Sequence, residues 1–175
     1  MRPAPALAPP PGLDRLDALL RYDDAARAFV TAVKYRNARA SIDGLAGAVA
    51  ALVVDGRSTI DVVTWAPTTP ERLRSRGYDQ AELLARAIGR QLRLPVRRSL
   101  RRIPGPHQTG RPAHLRRRGP QFVALGRAGT SVLVVDDVCT TGTTLSAAGA
   151  TLRRAGARQV RGLVMARTPR SGVHR

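Results

Sequence analysis

Apolar residues recur along this chain in two patterns, short runs rich in valine and isoleucine and longer segments in which they repeat every three or four positions. The short runs, bounded by turn residues, predict strands, and the longer repeats predict helices. The predicted strands are 59–65, 95–101, 131–135 and 159–166, and the predicted helices are 13–34, 42–54, 80–92 and one from Thr143 or Thr144 up to Gly156. Strands that alternate with helices predict an α/β fold, an open parallel sheet with flanking helices.

The helix at 80–92 and the strand at 131–135 have the clearest patterns. Apolar residues repeat every four positions through the helix, and Asp79 followed by Glu82 resembles the capping box that starts many helices. The strand is apolar on both faces, as a central strand of a parallel sheet should be. The α/β prediction depends mainly on these two elements.

The segments before and between these elements are rich in proline, glycine and arginine. Residues 1–12 contain five prolines and are predicted to form a disordered tail, so the predicted single domain spans 13–175. Residues 66–78 are predicted to be a loop. Residues 102–120 contain four prolines, three glycines and several arginines, and a loop of this length inside a compact domain is usually a lid or a disordered segment.

Composition changes this picture mainly through charge. The chain carries 30 basic residues, of which 29 are arginine, against 12 acidic ones, and its formal net charge is +18. Between Leu83 and Val135 there are 12 arginines and no acid. Such a field attracts polyanions such as nucleic acid, phosphate or pyrophosphate, although a GC-rich genome also tends to encode arginine and alanine. Aromatic residues make up only 3% of the chain, too few for nucleic-acid binding by aromatic stacking.

Cysteine content and hydropathy bear on the cellular compartment. The single cysteine, Cys139, excludes an intramolecular disulfide and any multi-cysteine zinc site. No stretch approaches about 18 uninterrupted apolar residues, and the N-terminus has no apolar run suited to a signal peptide. These features predict a soluble cytoplasmic protein without a membrane span.

Two aspartates and a threonine-rich loop follow the strand 131–135. Asp136 and Asp137 are expected at the carboxyl end of that strand, where open parallel sheets bind ligands. The loop 140–144 leads into a helix N-terminus, whose unpaired backbone N–H groups favour a phosphate. Carboxylates would repel a phosphate and suit vicinal hydroxyls or a hard cation such as Mg²⁺. The motif therefore predicts a ribose 5-phosphate site, with simple capping of the strand and the helix as the alternative.

The stretch VVDDVCTTGTT, 134–144, resembles the phosphoribosyl pyrophosphate (PRPP) motif of type I phosphoribosyltransferases, whereas a P-loop lysine and a dinucleotide-binding G-x-G-x-x-G are absent. The resemblance implies the Rossmann-like type I phosphoribosyltransferase fold, glycosyltransferase activity on an unknown acceptor, and often a homodimer. Mg²⁺ would be coordinated mainly by PRPP, and the carboxylate oxygens of Asp136 and Asp137 would be its candidate protein ligands. The same two aspartates would bind the ribose hydroxyls. The loop residues that would bind the 5-phosphate are Thr140, Thr141, Gly142, Thr143 and Thr144.

A second stretch, VVTWAPTTPERLRSRGYDQAELLARAIG, resembles the ComF competence family. In that family a strand and a proline-containing loop precede an Arg-Gly-aromatic-Asn-Gln motif and a helix. The matching residues are Arg76, Gly77, Tyr78 and Gln80. Asp79 stands where the family usually has asparagine, and the likeness extends over roughly 30–167. The resemblance implies a role in competence and DNA uptake. It implies no zinc site, because the family's four-cysteine zinc module has no counterpart in this sequence.

These resemblances imply where the rest of a transferase site lies. The loop expected to hold pyrophosphate consists of Ala66, Pro67, Thr68 and Thr69, followed by three candidate pyrophosphate ligands, Arg72, Arg74 and Arg76. The basic loop 102–120 is expected to close over the site as a lid, with His107 and Gln108 as the candidate catalytic residues. Neither a general base nor an acceptor pocket can be identified from the sequence.

Two functions remain open at this point. One is a phosphoribosyltransferase that binds Mg·PRPP and transfers phosphoribose to an unknown acceptor with release of pyrophosphate. The other is a non-catalytic accessory protein in competence or DNA uptake, which senses PRPP or a nucleotide, or binds single-stranded DNA through its arginine-rich surface.

Overall fold

A computed structural model describes residues 8–21, 46–48, 50–53, 59–104 and 119–168. The strands within these ranges are β1 (Arg15–Arg21), β2 (Val62–Trp65), β3 (Leu100–Ile103), β4 (Gln121–Ala124), β5 (Ser131–Cys139) and β6 (Gln159–Arg167). The helices are α1 (Pro70–Arg76), α2 (Gln80–Leu92) and α3 (Thr143–Arg154). Residues 46–48, 50 and 51 are also helical, in agreement with the helix predicted at 42–54.

Four strands form one parallel sheet in the order β1-β6-β5-β2. The strand β5 pairs with β6 on one side, where Val134 lies opposite Gly162, and with β2 on the other, where Leu133 lies opposite Val63. A parallel bridge between Val63 and Val96 continues the sheet beyond β2. The strands β3 and β4 form a separate antiparallel pair. The predicted α/β fold with an open parallel sheet and flanking helices is therefore confirmed.

The two faces of the sheet bury two separate apolar clusters, because side chains alternate along each strand. Along β5, Leu133 and Val135 belong to the cluster packed by α2, whereas Val132 and Val134 belong to the cluster packed by α3. All four residues are at most 1% exposed. The apolar run 132–135 therefore has the burial on both faces that its composition predicts.

Local sequence chemistry sets the ends of the two long helices. The carboxylate of Asp79 caps the start of α2 by accepting a first-turn N–H at 3.1 Å. Gly156 follows the end of α3 with φ +105° and donates its N–H to the carbonyl of Arg153, so the predicted glycine cap is confirmed. Glu82, the expected second member of a capping box, forms an ion pair with Arg86 at 2.7 Å.

The helix predicted at 13–34 is wrong over its first part, because residues 15–21 form the edge strand β1. This strand pairs in parallel with β6, and Asp17 accepts a hydrogen bond from the buried Arg161 of that strand at 3.4 Å. Pairing with a neighbouring strand decides the structure here, because the intrinsic preference of a short segment is weak. Residues 22–34 lie outside the described ranges.

Three other expectations differ from the structure. The predicted loop 66–78 contains the short helix α1, which begins because Thr69 caps it and a proline follows at its first position. The strand predicted at 95–101 is shifted to β3, with an isolated bridge upstream of it. Residues 8–12, assigned to the tail, lie against α3 and β6, because their carbonyls accept hydrogen bonds from arginines of those elements. Residues 1–7 lie outside the described ranges.

Candidate functional site

The carboxyl ends of β2 and β5 lie side by side at one edge of the sheet, and the space between the loops that follow them is here called the crevice. The two strands are neighbours, but the chain leaves them in opposite directions, because α2 packs on one face of the sheet and α3 on the other. In open parallel sheets such a reversal separates the loops that follow the two strands, and ligands bind between them. The predicted pyrophosphate loop follows β2, and the predicted ribose and phosphate residues follow β5. The fold thus brings both groups of predicted residues to one crevice.

Hydrogen bonds hold the loop after β2 from three directions. Ala66 donates its N–H to a carbonyl of β5 at 2.9 Å. Thr68 donates its N–H to Oδ2 of Asp79 at 2.9 Å. The carbonyl of Pro67 accepts a hydrogen bond from Nη1 of Arg102 at 3.4 Å. Three separate parts of the chain therefore hold this loop in one conformation.

Asp79 connects this loop to α2 through both oxygens of one carboxylate. Oδ1 accepts the N–H of Ala81 at the start of the helix, while Oδ2 accepts the N–H of Thr68. Burial raises the pKa of Asp79 above its ordinary value, and the backbone N–H groups of Thr68, Glu82 and Ala81 oppose that shift. An asparagine has one side-chain acceptor oxygen and would lose one of the two bonds. Aspartate therefore has a structural role here that asparagine would fill only in part.

Arg102 is a site residue that the sequence motifs do not single out, because it lies in the segment assigned to the basic lid. It belongs to β3, and its guanidinium lies 5.7 Å from the ring centre of Phe122 in β4. Burial and the charge of Arg72 lower the pKa of Arg102, while the carboxylate of Asp136 acts in the opposite direction. A half-buried positive charge therefore lies beside the loop after β2, close enough to Asp136 for the two charges to interact.

Asp136 and Asp137 are half-buried at the carboxyl end of β5, and each carboxylate accepts the backbone N–H of the next residue, at 2.8 and 2.7 Å. Burial, followed by the charge of Asp137, raises the pKa of Asp136 well above its ordinary value. A hydrogen bond between the two side chains acts in the same direction. Asp136 therefore keeps its proton at a pH where a free aspartate has lost it. This reduces the negative charge beside the threonine loop, where an anion would otherwise be repelled.

The threonine loop reaches α3 through Gly142, the residue directly before the helix. Gly142 has φ +80°. This left-handed conformation strains any residue with a side chain. The hydroxyl of Thr141 accepts the N–H of Thr143 at 3.4 Å and shares a 2.8 Å hydrogen bond with its hydroxyl. Thr140, Thr141 and Thr143 are exposed. The start of α3, with its positive dipole end, is therefore accessible to an anion.

The three arginines predicted to bind pyrophosphate all lie in α1, which buries none of its residues. Arg72 is close enough to Arg102 for its charge to lower the pKa of that guanidinium. Arg74 forms an exposed ion pair with Glu71 at 3.9 Å, and Arg76 is partly exposed at the end of the helix. Arg72 is thus the member of the set that lies nearest the crevice.

The remaining sequence candidates lie elsewhere. His107 and Gln108, the candidate catalytic residues, fall in 105–118, outside the described residues. Among the residues that are described, no group of three or more histidine, cysteine or carboxylate side chains is arranged to hold a metal ion. Cys139 is 3% exposed and packs in the apolar cluster on the α3 side, as a small space-filling residue does.

Gln80, the first residue of α2, is the last residue of the motif 76–80, which by itself gives this residue no role. It is 4% exposed, and its side-chain atoms Oε1 and Nε2 are buried without a hydrogen-bond partner in the described part of the chain. Buried polar groups are nearly always paired, so this amide lowers stability unless water or a ligand satisfies it. Because Gln80 directly follows Asp79, whose carboxylate holds the loop after β2, its amide is a candidate for contact with a ligand there.

Fold and site together define an α/β protein in which the crevice between β2 and β5 combines a firmly held loop, a pair of carboxylates and an accessible helix N-terminus. The sequence profile of the Phosphoribosyl transferase domain matches residues 77–175, which is more than half of the chain. The chain therefore belongs to this family. The match includes both aspartates and the threonine loop but begins after the pyrophosphate loop. No curated protein is significantly similar to the chain in sequence.

Two solved structures show the extent of the structural likeness. The allosteric regulatory enzyme of purine biosynthesis is 21% identical, with a TM-score of 0.50, over 73% of this chain and 26% of that one. The chain thus spans about a quarter of that enzyme's length, and the likeness is one of fold. A Trypanosoma cruzi hypoxanthine phosphoribosyl transferase is 14% identical, with a TM-score of 0.44, over 78% of this chain and 71% of that one. Together with the family match, the first likeness confirms the expected type I phosphoribosyltransferase fold.

Proposed function

We propose that the chain is a phosphoribosyltransferase that binds PRPP with Mg²⁺ in the crevice between β2 and β5 and transfers phosphoribose to an acceptor. The proposal rests mainly on one observation, the closeness of four features at the crevice. The preorganised loop after β2, the positive charge of Arg102, the carboxyl group of Asp136 and the open start of α3 all meet there. Membership of the phosphoribosyl transferase family supports the same conclusion.

Each part of PRPP has a chemically suited partner in this crevice. The hydroxyls and N–H groups of 140–144 donate to the 5-phosphate, and the helix dipole of α3 favours its charge. The carboxyl groups of Asp136 and Asp137 accept hydrogen bonds from the ribose 2- and 3-hydroxyls. The raised pKa of Asp136 reduces repulsion of the neighbouring phosphate. The aspartate pair and the threonine loop therefore bind different parts of one ligand.

The pyrophosphate would lie on the loop 66–69, next to Arg102 and Arg72. When the bond from C1 of ribose to pyrophosphate breaks, the leaving group gains negative charge and the ribose gains positive charge. A guanidinium already held by the Pro67 carbonyl and the Phe122 ring stabilises the leaving group without reorganising. Oxygens of Asp137, and of Asp136 once it has lost its proton, are hard donors that would suit Mg²⁺ alongside PRPP oxygens, and the bound ion would neutralise pyrophosphate charge.

Within the family we assign the chain to the ComF group, because of the motif 76–80. The hydrogen bonds of Asp79 support a role for this motif, since they join the pyrophosphate loop to α2. A function in competence and DNA uptake, a homodimeric assembly and a cytoplasmic location go with this assignment as predictions. In the described ranges, no helix is both long and apolar enough to cross a membrane.

Calorimetric titration of the full chain with PRPP and Mg²⁺ tests the ribose assignment. We expect binding by the wild type and its loss in the Asp136→Asn, Asp137→Asn double variant. Asp61→Asn is a matched control, because Asp61 accepts the N–H of Ser131 at 2.8 Å at the opposite edge of the sheet, and asparagine can keep that bond. Unchanged affinity in the double variant would remove the aspartates from the ribose site.

The acceptor can be sought by screening nucleobases and small amines for pyrophosphate release from PRPP. Release that depends on one acceptor class identifies the reaction. If PRPP binds but none of the acceptors is used, the non-catalytic sensor becomes the better description.

Single-stranded DNA binding is a second candidate function, favoured by arginines at the edge of the sheet opposite the crevice. Exposed arginines lie there at the ends of α2 and α3 and before β5 and β6, namely Arg90, Arg93, Arg127, Arg154 and Arg158. Those at helix C-termini also interact favourably with the helix dipole, so their presence alone does not require a ligand. They nevertheless form a positive edge separate from the PRPP crevice.

Anisotropy of a labelled single-stranded oligonucleotide over a salt series tests this second function. The logarithm of affinity should fall with the logarithm of salt concentration by about 0.7 for each phosphate contacted. An Arg93→Gln, Arg127→Gln variant should show weaker binding and a shallower slope, with PRPP affinity unchanged. Binding that is absent or insensitive to salt would exclude the arginine edge as a nucleic-acid surface.

A further inference from the structure

Residues 8–13, here called the N-terminal strap, cross from the end of β6 to α3. The carbonyl of Ala8 accepts a hydrogen bond from Nη2 of Arg167 at 2.7 Å. The carbonyl of Gly12 accepts one from Nε of Arg153 in α3 at 3.1 Å. Within the strap, Leu13 donates its N–H to the carbonyl of Pro10 at 3.2 Å, which closes a turn. Hydrogen bonds thus hold the strap at both ends and across its middle.

The strap lies in direct backbone contact with α3. A Cβ placed on Gly149 would lie 2.7 Å from the carbonyl oxygen of Gly12, and one placed on Gly12 would lie 3.0 Å from the nitrogen of Ala150. Real Cβ atoms do not approach other atoms so closely, so two glycines allow this packing. Gly12 also has φ +91°, where other residues are strained. The position of the strap is therefore built into the fold.

Pro10 is the point at which the strap contacts the threonine loop. It is buried, and its ring occupies the space that a side chain on Gly142 would fill. A Cβ on Gly142 would lie 2.7 Å from Cγ and 3.0 Å from Cβ of Pro10. The proline ring therefore supports the glycine from behind, while Thr141 and Thr143 on either side of it are exposed.

We infer that Pro10 is a positioning residue for the 5-phosphate site and that the N-terminal strap is part of the transferase. Glycine has more backbone freedom than other residues, so Gly142 without support samples conformations other than φ +80°. The N–H groups of Thr143 and Thr144 follow it directly, and their direction depends on that angle. Packing of Pro10 against Gly142 restricts the loop to the conformation that presents these groups to a phosphate. The inference rests on the proposed function, because it assumes that the loop binds the 5-phosphate.

Two partial ligands separate this role from general stability. Ribose 5-phosphate probes the threonine loop, and pyrophosphate with Mg²⁺ probes the loop after β2. In the full chain, Pro10→Ala should bind ribose 5-phosphate about tenfold more weakly, the effect expected from two lost ring methylenes. It should bind Mg-pyrophosphate like the wild type. With PRPP as substrate, KM should rise while kcat is retained.

The neighbouring Pro11→Ala is the matched control, because Pro11 is exposed and lies next in the same strap. It should bind both partial ligands like the wild type. Pro10→Val keeps most of the side-chain volume and should recover part of the affinity for ribose 5-phosphate. It also provides a second test if Pro10→Ala is poorly folded.

Three results would overturn the inference, and they are distinguishable. Equal ribose 5-phosphate affinity in Pro10→Ala and the wild type would exclude a positioning role. Equal weakening of both partial ligands, with a lower thermal midpoint, would show that Pro10 acts only through global stability. A wild type that binds neither ribose 5-phosphate nor PRPP would instead refute the proposed function, and the inference with it.

Discussion

Replacement of Gln80 by methionine should make the protein more stable. Both side-chain amide atoms are buried without a hydrogen-bond partner in the described part of the chain, and the residue is only 4% exposed. An unsatisfied buried polar group costs about 1–3 kcal/mol, and an unbranched apolar side chain of similar length removes that cost. For a chain of this size the gain corresponds to a rise of about 3–9 °C in Tm.

Urea and thermal unfolding followed by circular dichroism measure this gain. Gln91→Met is the matched control, because Gln91 is exposed in the same helix and its replacement should change stability by no more than about 0.5 kcal/mol. A Gln80→Met protein that unfolds at lower urea than the wild type would refute the reasoning. It would show that a buried water satisfies the amide and that Gln80 is structural.

The stability cost also bears on function. An unpaired buried amide next in sequence to Asp79, the residue that holds the loop after β2, is expected where a ligand uses it, since active sites are often kept at the expense of stability. We therefore expect Gln80→Met to bind Mg·PRPP more weakly even though it is more stable. A stabilised variant with unchanged PRPP affinity would separate the amide from the ligand.

Three further predictions follow from the site. Burial, followed by the charge of Asp137, raises the pKa of Asp136, so the folded chain holds a proton that the unfolded chain has released. Binding of that proton favours the folded state, and this contribution to stability is lost as the pH rises through the folded pKa. Asp136→Asn should therefore gain Tm relative to the wild type as the pH rises above about 4, the ordinary pKa of an aspartate, and a constant difference would contradict the raised pKa. Arg102→Met should weaken Mg-pyrophosphate binding about 10- to 100-fold and spare ribose 5-phosphate, whereas equal loss in the exposed neighbour Arg101→Met would refute a specific contact. Gly142→Ala should lower the free energy of unfolding by about 1–2 kcal/mol from its left-handed conformation alone, which chemical denaturation measures, and an unchanged value would mean that the loop adopts another conformation.

The parts of the fold that depend on neighbouring residues were predictable from the sequence. The helix α2 has the predicted bounds, because its cap at Asp79 and its four-residue apolar repeat are both local signals. Burial of 132–135 on both faces follows from an uninterrupted apolar run. The aspartate pair and the threonine loop are one contiguous motif, so they could be predicted as a site before any tertiary contact was known.

Contacts between distant parts of the chain were decided only by the tertiary structure. The segment 15–21 was included in the predicted helix 13–34 but forms a strand, because a partner strand more than 100 residues later supplies its hydrogen bonds. Arg102 joins the site through a carbonyl 35 positions away, and Pro10 meets Gly142 only because the strap packs on α3. No local pattern encodes such pairings, since their free energy comes from surfaces that exist only once the sheet has formed. The chain alone therefore specified the chemistry of the ribose 5-phosphate motif, and the assembled fold specified which residues surround and support it.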